Sequence, residues 1–600
     1  MRKPLRRTLL AASALVLAAA MPAHAQFQDA IGKAPPVPAD VIYTNGHVLT
    51  PQGWREAIAV ADATILRTGT EAELAEHRNA STRTVDLGGR TVLPGLIDMH
   101  VHAVDAGLQA AGCIFPQGAA MATAIAKVRQ CAAQAAPGAW IQGGQWDSTS
   151  LGKIAPSAKL LDAVAPNNPV VLHDISLHSV WVNSAALKLA GITSTTPNPA
   201  GGVIERDAKG NPTGVLRETA AIALLNKVPA PTQEQRVAAL ESATRQMLAQ
   251  GITSYEEALM ATANARVYAA LADRGGLVPY VRTCMWDNDQ DLIAQRNLYA
   301  RPRLDLGCVK MILDGVPTDA HTAAMIEPYA DADHRLGPDR QKGTLIIDPQ
   351  DITAKIVRYD AAGLTVKLHA AGDASVRAAL DGIAAARQKN GIYGPHHEIA
   401  HANFIAPRDV ARAAQLGATY EFSPYLWFPS PPVRDVVRSV GAARMERFTP
   451  VRDALEAGAR VVLGSDWPVI PSMSPWVAIE TLVTRQAPGG SPEVLSPGQR
   501  ISVGQAVTML TSSAASQLGI GHRVGSIEPG KQADFIVIDR DIFAVSPTTI
   551  HQTRVLRTVV AGKDVYATQW GGGWHVVPAS VTLPRRSVPS HQGTPLPLLR

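Results

Sequence analysis

The sequence predicts an α/β protein: a barrel of parallel strands covered by helices, carrying a small β-sandwich made from both ends of the chain. Three observations predict it. Apolar β-like runs alternate with helical ones through the central part, as in LTVKLHAAG before DASVRAALDGIAAARQKNG and GARVVLGSDWP before SPWVAIETLVTRQ. Such alternation argues for parallel strands covered by helices. Short strand-like runs broken by Asn-Gly and Gly turns follow Asp40, and the same texture returns in GSIEPGKQADFIVIDRD and RVLRTVVAGKDVYA. Several central runs also end in residues that bind metals, which is where a barrel collects its chemistry.

In chain order, residues 1–25 read as a signal peptide. Arg2, Lys3, Arg6 and Arg7 precede an apolar centre from Leu9 to Ala20, and Ala23 and Ala25 prepare a cut ahead of Gln26. That centre is too short to span a bilayer comfortably, so no stable membrane span is expected after cleavage. The chain is expected to be exported, periplasmic or secreted, by the Sec route or, given Arg6-Arg7, the twin-arginine route. Four of the +5 formal charges belong to this leader, leaving +1, and nothing points to nucleic acid. With 46% hydrophobic and 18% charged residues the composition is globular.

Residues 26–94 are assigned to the first part of the sandwich and 95–522 to the barrel. About 105–300 is too long for one strand–helix step, so an inserted subdomain is expected there. Residues 523–570 complete the sandwich, and 571–600 form a Pro-rich tail without apolar periodicity. The four cysteines are too few for a disulfide scaffold, and no CxxC occurs. In an oxidising compartment Cys113 and Cys131 either pair or remain two buried thiols.

The stretch GLIDMHVHAVDAG places Asp98, His100 and His102 on one face of a strand, because side chains at i and i+2 leave together. Two converging imidazoles suit a divalent transition metal, although an isolated HxH also fits a hydrogen-bonded pair. Four further runs supply Lys310 in CVKMILDG, His369 in LTVKLHAAGD, His401 in HHEIAHANFI and Asp466 in VVLGSDWPV. A lysine inside a barrel must be paired, neutral or chemically changed. Asp314 shares its face and is a candidate ion-pair partner. Lys367 falls on the face of His369, and the sequence shows no group that compensates it.

VLPGLIDMHVH, HSVWVNSAAL, VKMILDG, LHAAGD, EIAHAN, GSDWPV and the closing GSIEPGKQADFIVIDRD occur in order between about Asp40 and about Thr568. In these motifs the chain resembles the amidohydrolase superfamily, in particular amidohydrolase family 3 and its subgroup similar to N-substituted formamide deformylases. The resemblance implies a distorted (β/α)8 TIM-type barrel with a β-sandwich. It implies that His100 and His102 bind one metal, that His369 and His401 bind a second, and that Lys310 bridges them as a carboxylated lysine. Asp466 would bind the first metal and handle protons. One or two divalent ions are expected; zinc is the default for such N/O donors, and manganese, iron or cobalt also fit. The chain departs from the family pattern at Ala400, His321 and TSSAAS, which bears on substrate choice rather than on the cage.

The expected activity is metal-dependent hydrolysis of a non-peptide C–N bond in a small-molecule substrate, a linear amide such as an N-formyl or N-acyl amine. The cation would bring bound water to a pKa of about 7 and so supply hydroxide near neutrality. Asp466 would act as general base and then general acid. His178 is a second catalytic candidate, facing the carbonyl or its oxyanion, or else a structural histidine of the insertion. Trp146, His178, Trp181, Asn183 and His321 are the expected substrate contacts, the indoles being equally suited to core packing. A cyclic-amide or carbamate hydrolase would use the same cage. An exported metal- or ligand-binding protein without chemistry is disfavoured, because Asp466 and every ligand position are present. A homo-oligomer is compatible with the sequence.

Overall fold

In the computed structural model residues 36–568 are described, apart from 117–118, 147–150, 152–153, 175–178, 200–201, 319–320, 333–340, 424–427 and 471. The expected leader and tail, and His178, therefore lie outside the described residues.

Eight parallel strands make a nearly closed barrel: β1 (Leu96–Val101), β2 (Ile252–Met260), β3 (Tyr280–Trp286), β4 (Leu304–Ile312), β5 (Thr365–Ala370), β6 (Glu398–His401), β7 (Thr419–Phe422) and β8 (Arg460–Leu463). Helices follow most of them and cover their outer faces. Their starts are set locally: Thr232 and Gln235 form a capping box for Gln233–Ala249, and Asp348 caps Pro349–Ala361 with proline in its first turn. Each strand is buried on both faces, so the apolar residues facing the helices make one large core. The inward face is unusual. Glu256, Arg282, Lys367, Glu398 and Glu421 fill the barrel axis where branched aliphatic residues are the common solution.

Closure between β8 and β1 runs through the residues just beyond β8. The Asp466 amide donates to the His100 carbonyl at 2.7 Å, and the His102 amide donates to the Trp467 carbonyl at 2.8 Å. Asp98 adds a side-chain link, its Oδ1 accepting from the Ser465 amide at 2.9 Å.

The extra matter between β1 and β2 is a six-stranded sheet, in the order Gly202–Arg206, Pro212–Glu218, Ser179–Val182, Val170–Asp174, Ile141–Trp146, Cys113–Ile114. Against the expectation of an insertion over about 105–300, this sheet ends at Glu218, and residues 252–286 contribute two strands of the barrel itself. Those strands were hard to read because Glu256 and Arg282 interrupt them with inward charges. Cys113 and Cys131 are bonded to each other. A second disulfide, Cys284–Cys308, joins β3 to β4.

Both chain ends build the two remaining sheets. Val41–Thr44, Ala57–Ala61, Thr64–Gly69 and Arg83–Asp86 form a four-stranded one. In the other, Thr91–Pro94 pairs antiparallel with Phe535–Ile538, so an N-terminal strand lies against a C-terminal one. Tyr43 meets Phe535 edge-on, ring centroids 5.0 Å apart, in the core between the sheets. No helix among the described residues is long and apolar enough to cross a membrane.

Candidate metal centre

His100 leaves β1 near its C-terminal end with a side chain only 2% exposed. Its Nδ1 lies 2.8 Å from Glu421 Oε1, which places the ring proton on Nδ1 and turns an Nε2 lone pair toward the barrel mouth. His102, two residues on, follows the same plan with Nδ1 3.6 Å from Glu257 Oε1. Glu257 is itself held by the Tyr268 hydroxyl at 2.6 Å and the Ala103 amide at 3.0 Å. Each histidine thus has a carboxylate behind it.

In front of them stands Asp466. Its Oδ1 is 3.5 Å from His100 Nε2 and 3.3 Å from His102 Nε2. Those spacings exceed a charged hydrogen bond, typically about 2.7–2.9 Å. They match the edge of a tetrahedron drawn at zinc–nitrogen bond length, about 3.3 Å. Lys310 Nζ lies 3.5 Å from His100 Nε2. The donor atoms of His100, His401 and Asp466 all fall within 4.8 Å of one another. The His401 ring is 4.9 Å from that of His100 and 4.4 Å from that of His369. His369 Nε2 donates to the Gly315 carbonyl at 3.0 Å, leaving its Nδ1 lone pair available. All six expected cage residues therefore meet at one rim of the barrel. The donors suit one or two divalent ions, and Asp466, His102 and His369 keep 13–19% of their side chains exposed.

Backbone geometry aims these groups. His401 and Asp466 have φ of 69° and 59°, left-handed values that non-glycine residues rarely adopt and that functional sites tolerate. Gly464 allows β8 to press against β1, since a Cβ there would lie 2.2 Å from His100 Cβ and 2.8 Å from Glu421 Oε1.

The electrostatics prepare three of the four histidines for a metal. Burial, then the Lys310 charge, pushes His100 far below the usual imidazole range, and burial and Lys310 lower His369 as well. Burial and the neighbouring histidines do the same to His401. Those three rings are neutral donors. Burial would lower His102 too, but Asp466 and Glu257 raise it to about 9. Burial pushes the Asp466 carboxyl up, yet His100, His102 and Lys310 outweigh it and hold Asp466 below the ordinary carboxylate range. Lys310 is brought down to about 8, by burial first and then by the Lys367 charge.

Other expectations need correction. Asp314 is not the partner of Lys310: it accepts from the amides of Ala324, Ala371 and Gly372 and from the Ser375 hydroxyl at 2.7–3.0 Å. Trp146 and Trp181 are core residues of the insertion, buried with their indole N–H groups on the carbonyls of Leu172 and Ser157. Asn183 is buried there as well, capping the helix Ser184–Ala190 and bonding Val170, Ala165 and Asn168. Their polar atoms are hydrogen-bonded inside the insertion. His321 stacks on Tyr329 at 4.4 Å with Nε2 2.7 Å from Asp331, held within its own loop.

The carboxylates behind the histidines escaped the sequence reading. Glu257 in YEEALM and Glu421 in TYEFS are acids inside strand-like runs, and that was the available signal. Lys367, which lacked an evident counter-charge, is surrounded by Glu256, Glu398 and Glu421. Glu256 also lies beside Cys284 and Cys308, but the bond between those sulfurs removes them as thiolate donors.

A nearly closed parallel barrel with histidines and an aspartate gathered at one rim defines a metal-dependent hydrolase. Residues 83–566 match the amidohydrolase family, and the chain belongs to that family of hydrolases acting on C–N bonds. It is 30% identical over 547 residues to Protein LONG AFTER FAR-RED 3 of Arabidopsis thaliana, covering 88% of this chain and 92% of that one. It is 29% identical over 544 residues to N-substituted formamide deformylase of Arthrobacter pascens, covering 87% and 97%. Its fold is similar to that of an uncharacterized metal-dependent hydrolase from Pyrococcus furiosus, with a TM-score of 0.68, 24% identity and coverage of 84% of this chain and 99% of that one.

Proposed function

We propose that the protein hydrolyses a linear amide, an N-formyl or N-acyl amine, at a centre formed by His100, His102, Lys310, His369, His401 and Asp466. The observation that carries this reading is the 3.3–3.5 Å spacing of Asp466 Oδ1 from the two Nε2 atoms, each ring backed by a glutamate. The similarity to a deformylase of N-substituted formamides supports the linear-amide assignment.

A divalent cation held there would supply a Lewis acid for the carbonyl and would lower the pKa of water to about 7. Asp466, ionised and partly exposed, accepts the water proton and returns it to the departing nitrogen. Glu421 and Glu257 hold His100 and His102 in the tautomer that presents Nε2. Lys310, lowered to about 8 by burial, would help to hold the ions if its neutral amine took up carbon dioxide as a carbamate with release of one proton. Zinc is the proposed metal. We also propose that the protein is exported, which two disulfides support.

The test is turnover of N-formyl and N-acyl amines, with lactams and carbamates alongside, by wild type and Asp466→Asn. Linear amides should be cleaved, and the variant should lose about 100-fold or more of kcat. Opening of ring substrates alone would refute the linear-amide assignment. Metal uptake without turnover on any substrate would leave a binding protein.

A further inference from the structure

We propose that Lys367 is a positioning residue for the metal centre, acting through Glu421 on His100. This rests on the reading of His100 as a metal ligand.

The Lys367 ammonium is fully buried on the barrel axis, one layer below the cage. It meets Glu256 Oε1 at 3.1 Å, Glu398 Oε2 at 2.6 Å and Glu421 Oε2. It also donates to the Met99 carbonyl at 2.9 Å. Two of these contacts converge on His100. Met99 provides the peptide carbonyl just before it, while the other oxygen of Glu421 accepts from its ring Nδ1. One cation therefore fixes both the backbone and the imidazole of the residue that faces the metal. Arg282 braces the far side, bonding Glu256 and Glu398 and donating to the Gln517 carbonyl at 2.8 Å.

The charge balance points the same way. Lys367 and Arg282 carry two positive charges against three carboxylates, Glu256, Glu398 and Glu421. Glu421 keeps its carboxylate directly behind the His100 ring, which favours a cation on the opposite ring nitrogen. Carboxylate partners of ligating histidines typically change metal affinity 10–100-fold when removed. Lys367 extends that relay by one residue, because the Glu421 carboxylate would otherwise be free to rotate off Nδ1.

The experiment is a zinc titration of the metal-stripped full chain against a chromophoric chelator, with cobalt absorption as a second readout of ligand geometry. Wild type, Glu421→Gln, Lys367→Met and the double variant are compared. Both single variants should bind zinc about 10–100-fold more weakly, and the double variant should be no weaker than Glu421→Gln alone. Multiplying losses, or wild-type affinity in Lys367→Met, would overturn the proposal. If Lys367→Met does not fold, the double variant decides, since it keeps the net charge of the network. Equal affinity to Glu421→Gln then supports the relay, and a further tenfold loss refutes it. Failure of the double variant to fold would assign the ammonium to barrel stability and refute it too. A wild-type protein that binds no zinc would sink the metal reading itself, a distinct result.

Discussion

His100 is a buried ring prepared on both of its nitrogens. The ring is neutral because burial and Lys310 disfavour its charge, and oriented because Glu421 accepts its Nδ1 proton. Its room to stand there depends on the missing side chain of Gly464. Gly464→Ala places a methyl 2.2 Å from His100 Cβ, and such overpacking costs roughly 1–3 kcal/mol. We expect a folded but less stable protein with much weaker zinc binding, read by thermal melting and by chelator competition. Unchanged metal affinity would show that the close approach of β8 to β1 does not aim the ring. At this scale the sequence was legible wherever a ligand-type residue ended an apolar run, as at His100, His369, His401 and Asp466. Glu421 and Glu257 were harder to recognise, because an inward acid in a short strand is indistinguishable from an outward one until the partner ring is placed.

Among the elements, the base of β6 is tied to two covering helices by one buried cluster. Asp360 of Pro349–Ala361 accepts from Arg387 Nη1 at 2.5 Å, Asn390 Nδ2 at 2.9 Å and His397 Nε2 at 2.9 Å. Burial raises the Asp360 carboxyl, but these partners prevail and lower it to about 2, beneath an unfolded value of about 3.9. A depressed carboxyl stabilises the fold at pH values above the unfolded pKa and loses that effect as pH falls through the folded one. Asp360→Asn should cost on the order of 3 kcal/mol near neutrality, the usual scale for breaking a buried pair. In denaturant titrations the gap from wild type should narrow between about pH 4 and 2. A gap constant with pH would remove Asp360 from the acid sensitivity of the fold. Helix and strand order was readable here, since apolar periodicity and caps are local. The extent of the insertion was not, because β2 and β3 carry charges whose partners lie on other strands of the barrel.

For the whole molecule, the fold brings together residues as distant in sequence as His100 and Asp466, and it closes its sheet through those same residues. If these residues hold the metal as proposed, its binding and barrel closure are coupled. Zinc at about 1,000 times its Kd should stabilise the protein by roughly 4 kcal/mol. Calorimetry should show melting rise with zinc and fall with a chelator, and a melt indifferent to both would break the coupling. The overall architecture could be read from alternation along the chain and from the matching texture of its two ends. The disulfide Cys284–Cys308 could not, because pairing across neighbouring parallel strands depends on register that no local signal gives. The most direct test is amide hydrolysis by the metal-stripped protein before and after zinc is restored. We predict that cleavage of an N-formyl or N-acyl amine disappears on stripping and returns with zinc. Turnover that survives complete removal of metal would contradict the account.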